Sequence, residues 1–356
     1  MINKQLDERK KIILEATISN YIKTAEPVGS KALLDSGQFQ LSAATIRGEL
    51  NDLEKDGYLA HLHTSSGRVP TDKGYRLYVD DLMPQHTVPS IQAEEMEQKL
   101  LLVGSDLEEV VFQVTSVLTS LIDYTIIVMT PDVYQDSLKL IQLVLVDLNK
   151  ILVVILNSIG VNQEFLLNIS HAIGQDDLNA LSQLLTRKLA GKSLSRLDEQ
   201  VLNELVAELP QFKIVLSQLY VQVQRVSTSF TQNRSVLTKG IAKMLRLPEF
   251  KNIEYTQKVL EALEETKVLC SVLSHYLSEG NQQIVIGEEH RVENFKECGL
   301  LISPLKMGST SVGMVGVLGP KRMNYSTIAP MLEKITQRVN TYLGAQDVSE
   351  SLKIIE

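Results

Sequence analysis

Residues 41–76 constrain this chain most, because the first half of the segment has strict helical periodicity. Ile46, Leu50 and Leu53 recur at positions i, i+4 and i+7, which places them on one side of a helix, facing a core. Ser42 precedes them, and serine is a preferred N-cap because its hydroxyl accepts a hydrogen bond from a free backbone N–H. The pattern predicts a helix that begins just after Ser42 and buries one apolar side.

The opposite side of this predicted helix carries residue types that suit DNA recognition. At helical spacing it presents small residues, an amide and two basic side chains, which are Ala44, Gly48, Asn51, Lys55 and, on the flank, Arg47. Small residues allow close approach, an amide can pair with adenine, and a guanidinium suits guanine or phosphate. An ordinary amphipathic surface helix has the same periodicity, so the helix alone leaves both interpretations open.

Two further helices are predicted upstream. Apolar residues at helical spacing indicate a first helix from about Leu6 to Thr24, and Pro27 and Gly29 end it. A short second helix is expected from Ser30 to about Ser36. Three helices joined by turns are typical of DNA-binding units whose last helix enters the major groove.

A strand pair is predicted directly after the third helix. Asp56-Gly57 is typical of a helix end, residues 58–63 alternate as a strand, and residues 64–67 form a polar tip. Thr71 is expected to cap a helix that runs through Leu82. This arrangement predicts a wing that contacts phosphate or the minor groove. The candidate DNA-binding residues are Ser42, Ala44, Thr45, Arg47, Asn51, His63, Ser65, Ser66 and Arg68.

Several short motifs carry a family resemblance. They lie at residues 45–47, 53–54, 57–58 and, above all, 63–76, with later motifs at 247–250, 286–289 and 316–325. Together they resemble the HrcA family of heat-inducible transcription repressors, from one end of the chain to the other. Gly48 is the main departure, since the family commonly has asparagine there and glycine costs about 1 kcal/mol of helix propensity relative to alanine. Smaller departures are Leu62, Ser66 and His290.

The resemblance implies a function and a set of partners. It implies a winged helix that binds double-stranded DNA at an inverted-repeat operator, the CIRCE element, upstream of chaperone genes. It also implies a homodimer, a GAF-like second domain, an inserted dimerisation domain and modulation by the GroE chaperonin. Heat would then release the operator through loss of the active fold or dimer.

The fold class predicted for the whole chain is α+β. Residues 1–84 are expected to form the winged-helix domain, and residues 85–93, with Pro89, a linker. Strands predicted at 125–129, 138–147 and 151–158, and again at 284–286, 300–304 and 311–318, suggest one interrupted α+β domain. Its expected ranges are 94–161 and 235–350, with the insert at 162–234.

Charge and composition exclude several classes of protein. The net charge of −8 argues against a protein that coats nucleic acid along its whole surface. Cys270 and Cys298 match no metal or redox spacing and are expected to be buried thiols. The apolar run 138–156 is interrupted by a polar turn at 147–150, which predicts two strands and not a membrane span. We expect a cytoplasmic protein without a cofactor.

Other sites have weaker signals. His61 and His63 could ligate a metal, but no third ligand is near them in sequence. The glycines around Lys321 and Arg322 lack the spacing of a phosphate-binding loop. Since no nucleophile–base pair is recognisable, the chain is not expected to be an enzyme. The alternative is a GAF-type small-ligand sensor or regulator whose winged helix mediates other contacts.

Overall fold

A computed structural model shows an α+β protein with three packed units. The described residues are 6–37, 39–61, 67–84, 96, 98–100, 107–130, 137–157, 162–169, 173–193, 197–230, 236–277, 280–307 and 310–353. Among the helices within these ranges, none combines the length and the apolar content needed to cross a bilayer.

The N-terminal unit has the predicted order of three helices, a strand pair and a fourth helix. Its elements are α1 (Glu8–Thr24), α2 (Ser30–Asp35), α3 (Ala43–Lys55), β1 (Leu59–His61), β2 (Arg68–Pro70) and α4 (Asp72–Leu77). A π-helical turn at Tyr78–Leu82 continues α4. The two strands pair antiparallel, with Ala60 opposite Val69, and a further bridge joins Arg68 to Val28. The winged helix expected from the sequence is therefore confirmed.

The second unit is built on a five-stranded antiparallel sheet with the order β7-β3-β10-β9-β8. Its first helix and strand are α5 (Leu107–Leu121) and β3 (Thr125–Met129). After the insert, the chain returns to it with β7 (Val236–Lys239), α9 (Ile241–Met244), α10 (Ile253–Glu264), α11 (Thr266–Leu277), β8 (Gln283–Ile286), β9 (Cys298–Met307), β10 (Thr310–Pro320) and α12 (Tyr325–Lys353). Strand β7, which the sequence analysis did not predict, forms one edge of this sheet.

The inserted unit has its own sheet and its own core. Its elements are β4 (Leu138–Asp147), β5 (Lys150–Asn157), β6 (Asn162–Asn168), α6 (Gln175–Leu189), α7 (Glu199–Glu208) and α8 (Lys213–Phe230). Hydroxyl and amide side chains of α6 bond the backbone of edge strand β4. Ser182 Oγ accepts from Leu143 N at 2.8 Å, and Gln175 Oε1 accepts from Leu145 N at 2.7 Å. These bonds cover a strand edge that would otherwise remain open.

The start of the inserted unit differs from the sequence-based boundary. Strands β4 and β5 were expected to belong to the GAF-like domain, but they pair with β6 and with each other. Their buried residues, such as Ile141 and Val153, pack in the same cluster as Leu185 of α6. Strand periodicity does not specify a pairing partner, so the boundary at residue 162 could not be placed correctly from the pattern. We propose Leu138 as the start of the insert.

One hydrophobic core continues from the winged helix into the second unit. It contains Ile46 and Leu53 of α3 together with Val315 and Val317 of β10. Tyr75 of α4 is also buried in this cluster. The N-terminal unit is therefore packed directly against the five-stranded sheet.

Both cysteines are buried, as expected. The Cys298 thiol lies 2.9 Å from the Tyr255 hydroxyl. Burial raises the pKa of Cys298 to about 12. Because the thiolate is the reactive form, Cys298 is expected to be inert in the folded protein.

His290 makes the stability of the second unit dependent on pH. Its side chain is buried at 5% exposure and its Nε2 lies 3.1 Å from the Cys298 carbonyl oxygen. Burial lowers the pKa of His290 from 6.5 to about 4. The folded chain therefore resists protonation while the unfolded chain accepts a proton, so stability is lost as pH falls from about 6.5 to about 4. The expected loss is about 3 kcal/mol, measured by urea unfolding at several pH values.

The His290→Asn variant is the matched control for this pH effect. It keeps a side chain that can form hydrogen bonds and removes the titrating group. The free energy of unfolding should therefore depend less steeply on pH between about 6.5 and about 4, where carboxyl groups elsewhere in the protein still titrate. Equal slopes for the two proteins would contradict the assignment to His290.

Candidate nucleic-acid interface

Helix α3 begins and packs as the sequence predicts. Ser42 is its N-cap, and the Ser42 hydroxyl accepts a hydrogen bond from Thr45 N at 3.1 Å. The hydroxyls of these two residues are also 2.9 Å apart, so the Thr45 side chain is part of the cap. Ile46, Leu50 and Leu53 are buried. This packing fixes the rotation of the helix and therefore decides which residues face outward.

The outward side of α3 is exposed along its length. It presents Ala44, Arg47, Gly48, Asn51 and Lys55, as expected. Among the described residues outside the nearby backbone of α3, no heavy atom lies within 4 Å of the position that a Cβ would take at Gly48. Within the described part of the chain, Arg47 forms no ion pair. Its side chain is exposed to solvent, where an external acceptor can reach it.

Acidic residues of α3 are paired with basic residues around them. Lys10 of α1 lies 3.4 Å from Asp52, and Arg9 lies 3.6 Å from Glu49. The hydrogen bond from Lys10 lowers the pKa of Asp52. Lys55 is also 3.4 Å from Asp52. These pairs reduce the repulsion that the acidic residues would exert on a phosphate backbone.

The structure places Arg68 differently from the sequence-based expectation. Its Nε lies 2.5 Å from Glu54 Oε2, and its Nη2 donates to Asn51 Oδ1 at 2.8 Å. Only 13% of the side chain is exposed. The guanidinium therefore joins the wing to helix α3 and does not extend toward solvent, because two acceptors of α3 lie within its reach. Glu54 is a site residue that was not predicted from the sequence, although its i, i+3 spacing from Asn51 places the two residues on neighbouring parts of one helix face.

The wing tip lies largely outside the described residues. His63, Ser65 and Ser66, which were predicted to contact DNA, are among the residues that the structure does not describe. Gly67, at the end of the tip, is buried, and a Cβ there would lie 2.5 Å from the Pro27 carbonyl carbon and oxygen. Only glycine permits this close approach of the wing to the turn after α1.

The possible metal site at the wing has no support in the described residues. His61 is exposed on β1, and its expected partner His63 is outside the described part of the chain. The described residues contain no group of three or more His, Cys, Asp or Glu side chains that could hold a metal ion.

Charged contacts join α4 to the second unit. Lys321 Nζ lies 2.9 Å from Asp72 Oδ1, and Asp72 Oδ2 accepts from Glu288 N at 2.9 Å. Arg76 pairs with Glu289 and donates to the Ile284 carbonyl oxygen at 2.6 Å. The helix that follows the wing is therefore fixed to the edge of the five-stranded sheet.

A second charged contact joins α1 to the second unit. Arg322 pairs with Glu249 through two nitrogens and donates to the Ile22 carbonyl oxygen at 3.2 Å. Ile22 lies in the last turn of α1, where carbonyl groups lack helical partners and attract cations. Arg322 and Glu249 lie in motifs that the sequence analysis quoted, but no spacing in the sequence indicated that they would meet.

The chain resembles known proteins along nearly its whole length. Residues 108–329 match the family model described as "HrcA protein C terminal domain". The heat-inducible transcription repressor HrcA of Brevibacillus brevis is 32% identical over 342 residues, which cover 96% of this chain and 99% of that protein. HrcA of Acetivibrio thermocellus is 33% identical over 344 residues, which cover 95% and 98%.

A solved structure supports the fold. It is described as "Crystal structure of a hypothetical protein at 2.2 A resolution", and it has a TM-score of 0.67 and 21% sequence identity to this chain. The match covers 96% of this chain and all of that one. At this identity the match is evidence for the architecture only.

The fold and the exposed helix with its wing are typical of DNA-binding transcription regulators, and the curated relatives are named as transcription repressors. The family match and the identity to the curated relatives make the assignment more specific. The chain belongs to the HrcA family of heat-inducible transcription repressors.

Proposed function

We propose that this protein is a homodimeric repressor that binds a CIRCE-type inverted repeat upstream of chaperone operons. The observation that carries this proposal is the open outward side of α3, with Arg47 and Asn51 exposed beside the wing. Two winged helices related by a two-fold axis would match the symmetry of an inverted repeat, and the dimer would set the half-site spacing. Access to the chromosome requires a cytoplasmic location.

Binding to duplexes with and without the inverted repeat tests the proposal. A repressor of this kind should prefer the repeat by about 1000-fold or more at physiological salt, with affinity falling as salt rises. Equal binding to both duplexes would contradict it. If the protein bound neither, the alternative of a small-ligand regulator, with the winged helix in other contacts, would be favoured. Footprinting upstream of the organism's own chaperone operons would identify the operator.

The Arg47→Ala variant tests base reading by α3. Because Arg47 is exposed and forms no ion pair among the described residues, its loss should leave folding intact and cost about 1–3 kcal/mol of operator binding, with relaxed preference at one base pair. Affinities for a panel of single base-pair substitutions measure this effect. Arg187→Ala, an equal change of charge on the exposed side of α6, should have little effect. Even weakening across all sequences would instead indicate a phosphate contact for Arg47.

An exposed apolar sheet face supports dimerisation through the insert. Leu140 and Val144 of β4 and Leu166 of β6 lie 39%, 37% and 50% exposed. Leu152 stands opposite both Val144 and Leu166 in the strand register, so these side chains share one face of the sheet. Contiguous apolar surface of this kind is typical of an interface. A second copy of the insert would cover it.

The Val144→Glu variant should shift the protein toward the monomer. Burying one carboxylate in each half of an apolar interface costs about 3 kcal/mol, or about 100-fold in the dimer dissociation constant. Analytical ultracentrifugation over a range of concentrations measures the change, and operator affinity should fall with it. Ile253→Glu, which makes the same kind of change at an exposed residue of α10, is the control. Equal dissociation constants for Val144→Glu and the unmodified protein would exclude this face.

Heat regulation would follow from modest stability. A loss of 1–2 kcal/mol is enough to lower the active population of a marginally stable regulator several-fold. The GroE chaperonin would return unfolded chains to the DNA-binding state. Operator binding followed through a heat ramp, with and without chaperonin, tests this mechanism. Unchanged affinity through the ramp would rule it out.

A further inference from the structure

The backbone of Arg68 is fixed on both sides. Arg68 N donates to the Val28 carbonyl oxygen at 2.9 Å, and Val28 N donates to the Arg68 carbonyl oxygen at 2.8 Å. On its other side, Arg68 pairs with His61 of β1. The residue therefore sits between the turn that follows α1 and the first wing strand. Its side chain therefore projects from a backbone position that is held by neighbours on both sides.

The Arg68 guanidinium spans two residues of α3. Glu54 Oε2 lies 2.5 Å from Nε and Asn51 Oδ1 lies 2.8 Å from Nη2. The guanidinium is planar and holds its donors in a fixed fork, so an ion pair that keeps it beside Glu54 also restricts the directions of its other donors. Because little of the side chain is exposed, the ion pair is screened less than a surface pair would be. The contact with Glu54 is an ion pair and not a hydrogen bond from Nε, and it holds the guanidinium beside Asn51.

The hydrogen bond from Arg68 orients the Asn51 amide. An asparagine side chain has one oxygen acceptor and one NH2 group with two donors. Since the oxygen is turned toward Arg68, the NH2 group is turned away from it, on the exposed side of α3. We propose that Arg68 is a positioning residue, anchored on Glu54, that orients Asn51 as a hydrogen-bond donor to a base edge. The inference deepens the proposed function and rests on it.

This orientation changes the base that Asn51 is expected to read. A bidentate contact with adenine requires the amide oxygen to accept from adenine N6 while the NH2 group donates to N7, and the bond to Arg68 turns that oxygen toward the wing. An amide that turns its NH2 group toward the groove suits edges that offer acceptors without a neighbouring donor, which are guanine O6 and N7 and thymine O4. Adenine is less suited, because its N7 acceptor stands beside the N6 donor group, which would then lack an acceptor. We therefore expect Asn51 to favour guanine or thymine edges.

The orientation predicts coupling between Arg68 and Asn51 in operator binding. The proteins compared are the unmodified dimer, Asn51→Ala, Arg68→Lys and the double variant, each bound to duplexes with single base-pair substitutions. Lysine keeps the charge but lacks the fork. We expect Arg68→Lys and Asn51→Ala each to lose about tenfold of discrimination at the same base pair, with no further loss in the double variant. The salt dependence should not change, because no phosphate contact is removed.

Other outcomes would overturn the positioning role. Full discrimination by Arg68→Lys would show that charge alone matters, as for a direct phosphate contact. Additive losses at different base pairs would show that the two residues act independently. Thermal unfolding identifies any variant that fails to fold. In that event Glu54→Gln, which removes only the anchor, should give the same loss at the same base pair, and full discrimination by that variant would also overturn the role.

A measurement without DNA separates this inference from the proposed function. The side-chain amide signals of Asn51 in a 15N-labelled dimer, assigned by their absence in Asn51→Ala, should shift in Arg68→Lys. Unchanged signals would exclude the contact whatever the operator data show. If the signals shift but the unmodified protein does not prefer the inverted repeat, the proposed function fails and the Arg68–Asn51 contact stands.

Discussion

Replacing Gly74 with alanine is expected to destabilise the N-terminal unit by about 3 kcal/mol, at the upper end of the usual cost of overpacking. A Cβ at Gly74 would lie 2.2 Å from the Tyr58 carbonyl oxygen and 3.2 Å from its carbonyl carbon. The obstacle is backbone, which cannot move aside as the end of a flexible side chain can. Thr71 N donates to the same Tyr58 oxygen at 3.1 Å, so α4 is held close at this point. The clash therefore has to displace α4 or the start of the wing.

Urea unfolding, followed by circular dichroism, measures the effect of Gly74→Ala. Operator affinity should fall as well, because Tyr58 directly precedes β1 and Thr71 directly follows β2. Gly48→Ala is the matched control, since Gly48 lies inside α3 with open space around its Cβ position. That change should stabilise the helix by about 1 kcal/mol. If the two variants changed stability equally, close packing at Gly74 would not be the cause.

Replacing Arg322 with methionine is expected to cost about 3 kcal/mol and to loosen the winged helix from the second unit. The Arg322 side chain is 11% exposed, and its removal leaves Glu249, at 27% exposure, without this partner. The Ile22 carbonyl oxygen at the end of α1 also loses a donor. Methionine has a similar length, so the main change is the loss of charge and hydrogen bonds.

Unfolding and operator binding should both respond to Arg322→Met. A looser connection permits more orientations of the two winged helices, so the preference for correctly spaced half-sites should decrease. Lys258→Met is the control, because Lys258 and Glu254 form an exposed i, i+4 pair at 3.0 Å. Such pairs contribute only about 0.2–0.5 kcal/mol. A similar loss in both variants would show that burial of the Arg322 pair has no special importance.

Local sequence patterns were sufficient to predict most of the helices and strands. Strand β4 was predicted at 138–147, which are its bounds in the structure, and strand β3 agrees equally well. Alternating or β-branched residues identify a strand wherever it pairs. The same pattern did not show that β4 and β5 belong to a sheet with β6 and not to the sheet that contains β3. Which strands pair depends on residues far away in the chain.

The sequence by itself determined the side of α3 that faces outward. Ile46, Leu50 and Leu53 must be buried together, and the 3.6-residue period then places Arg47 and Asn51 in solvent. Tertiary structure alone decided what Arg68 does. It brings Glu54 and Asn51 within reach of a guanidinium from the wing, and a long side chain with several donors takes the acceptors that the fold places near it.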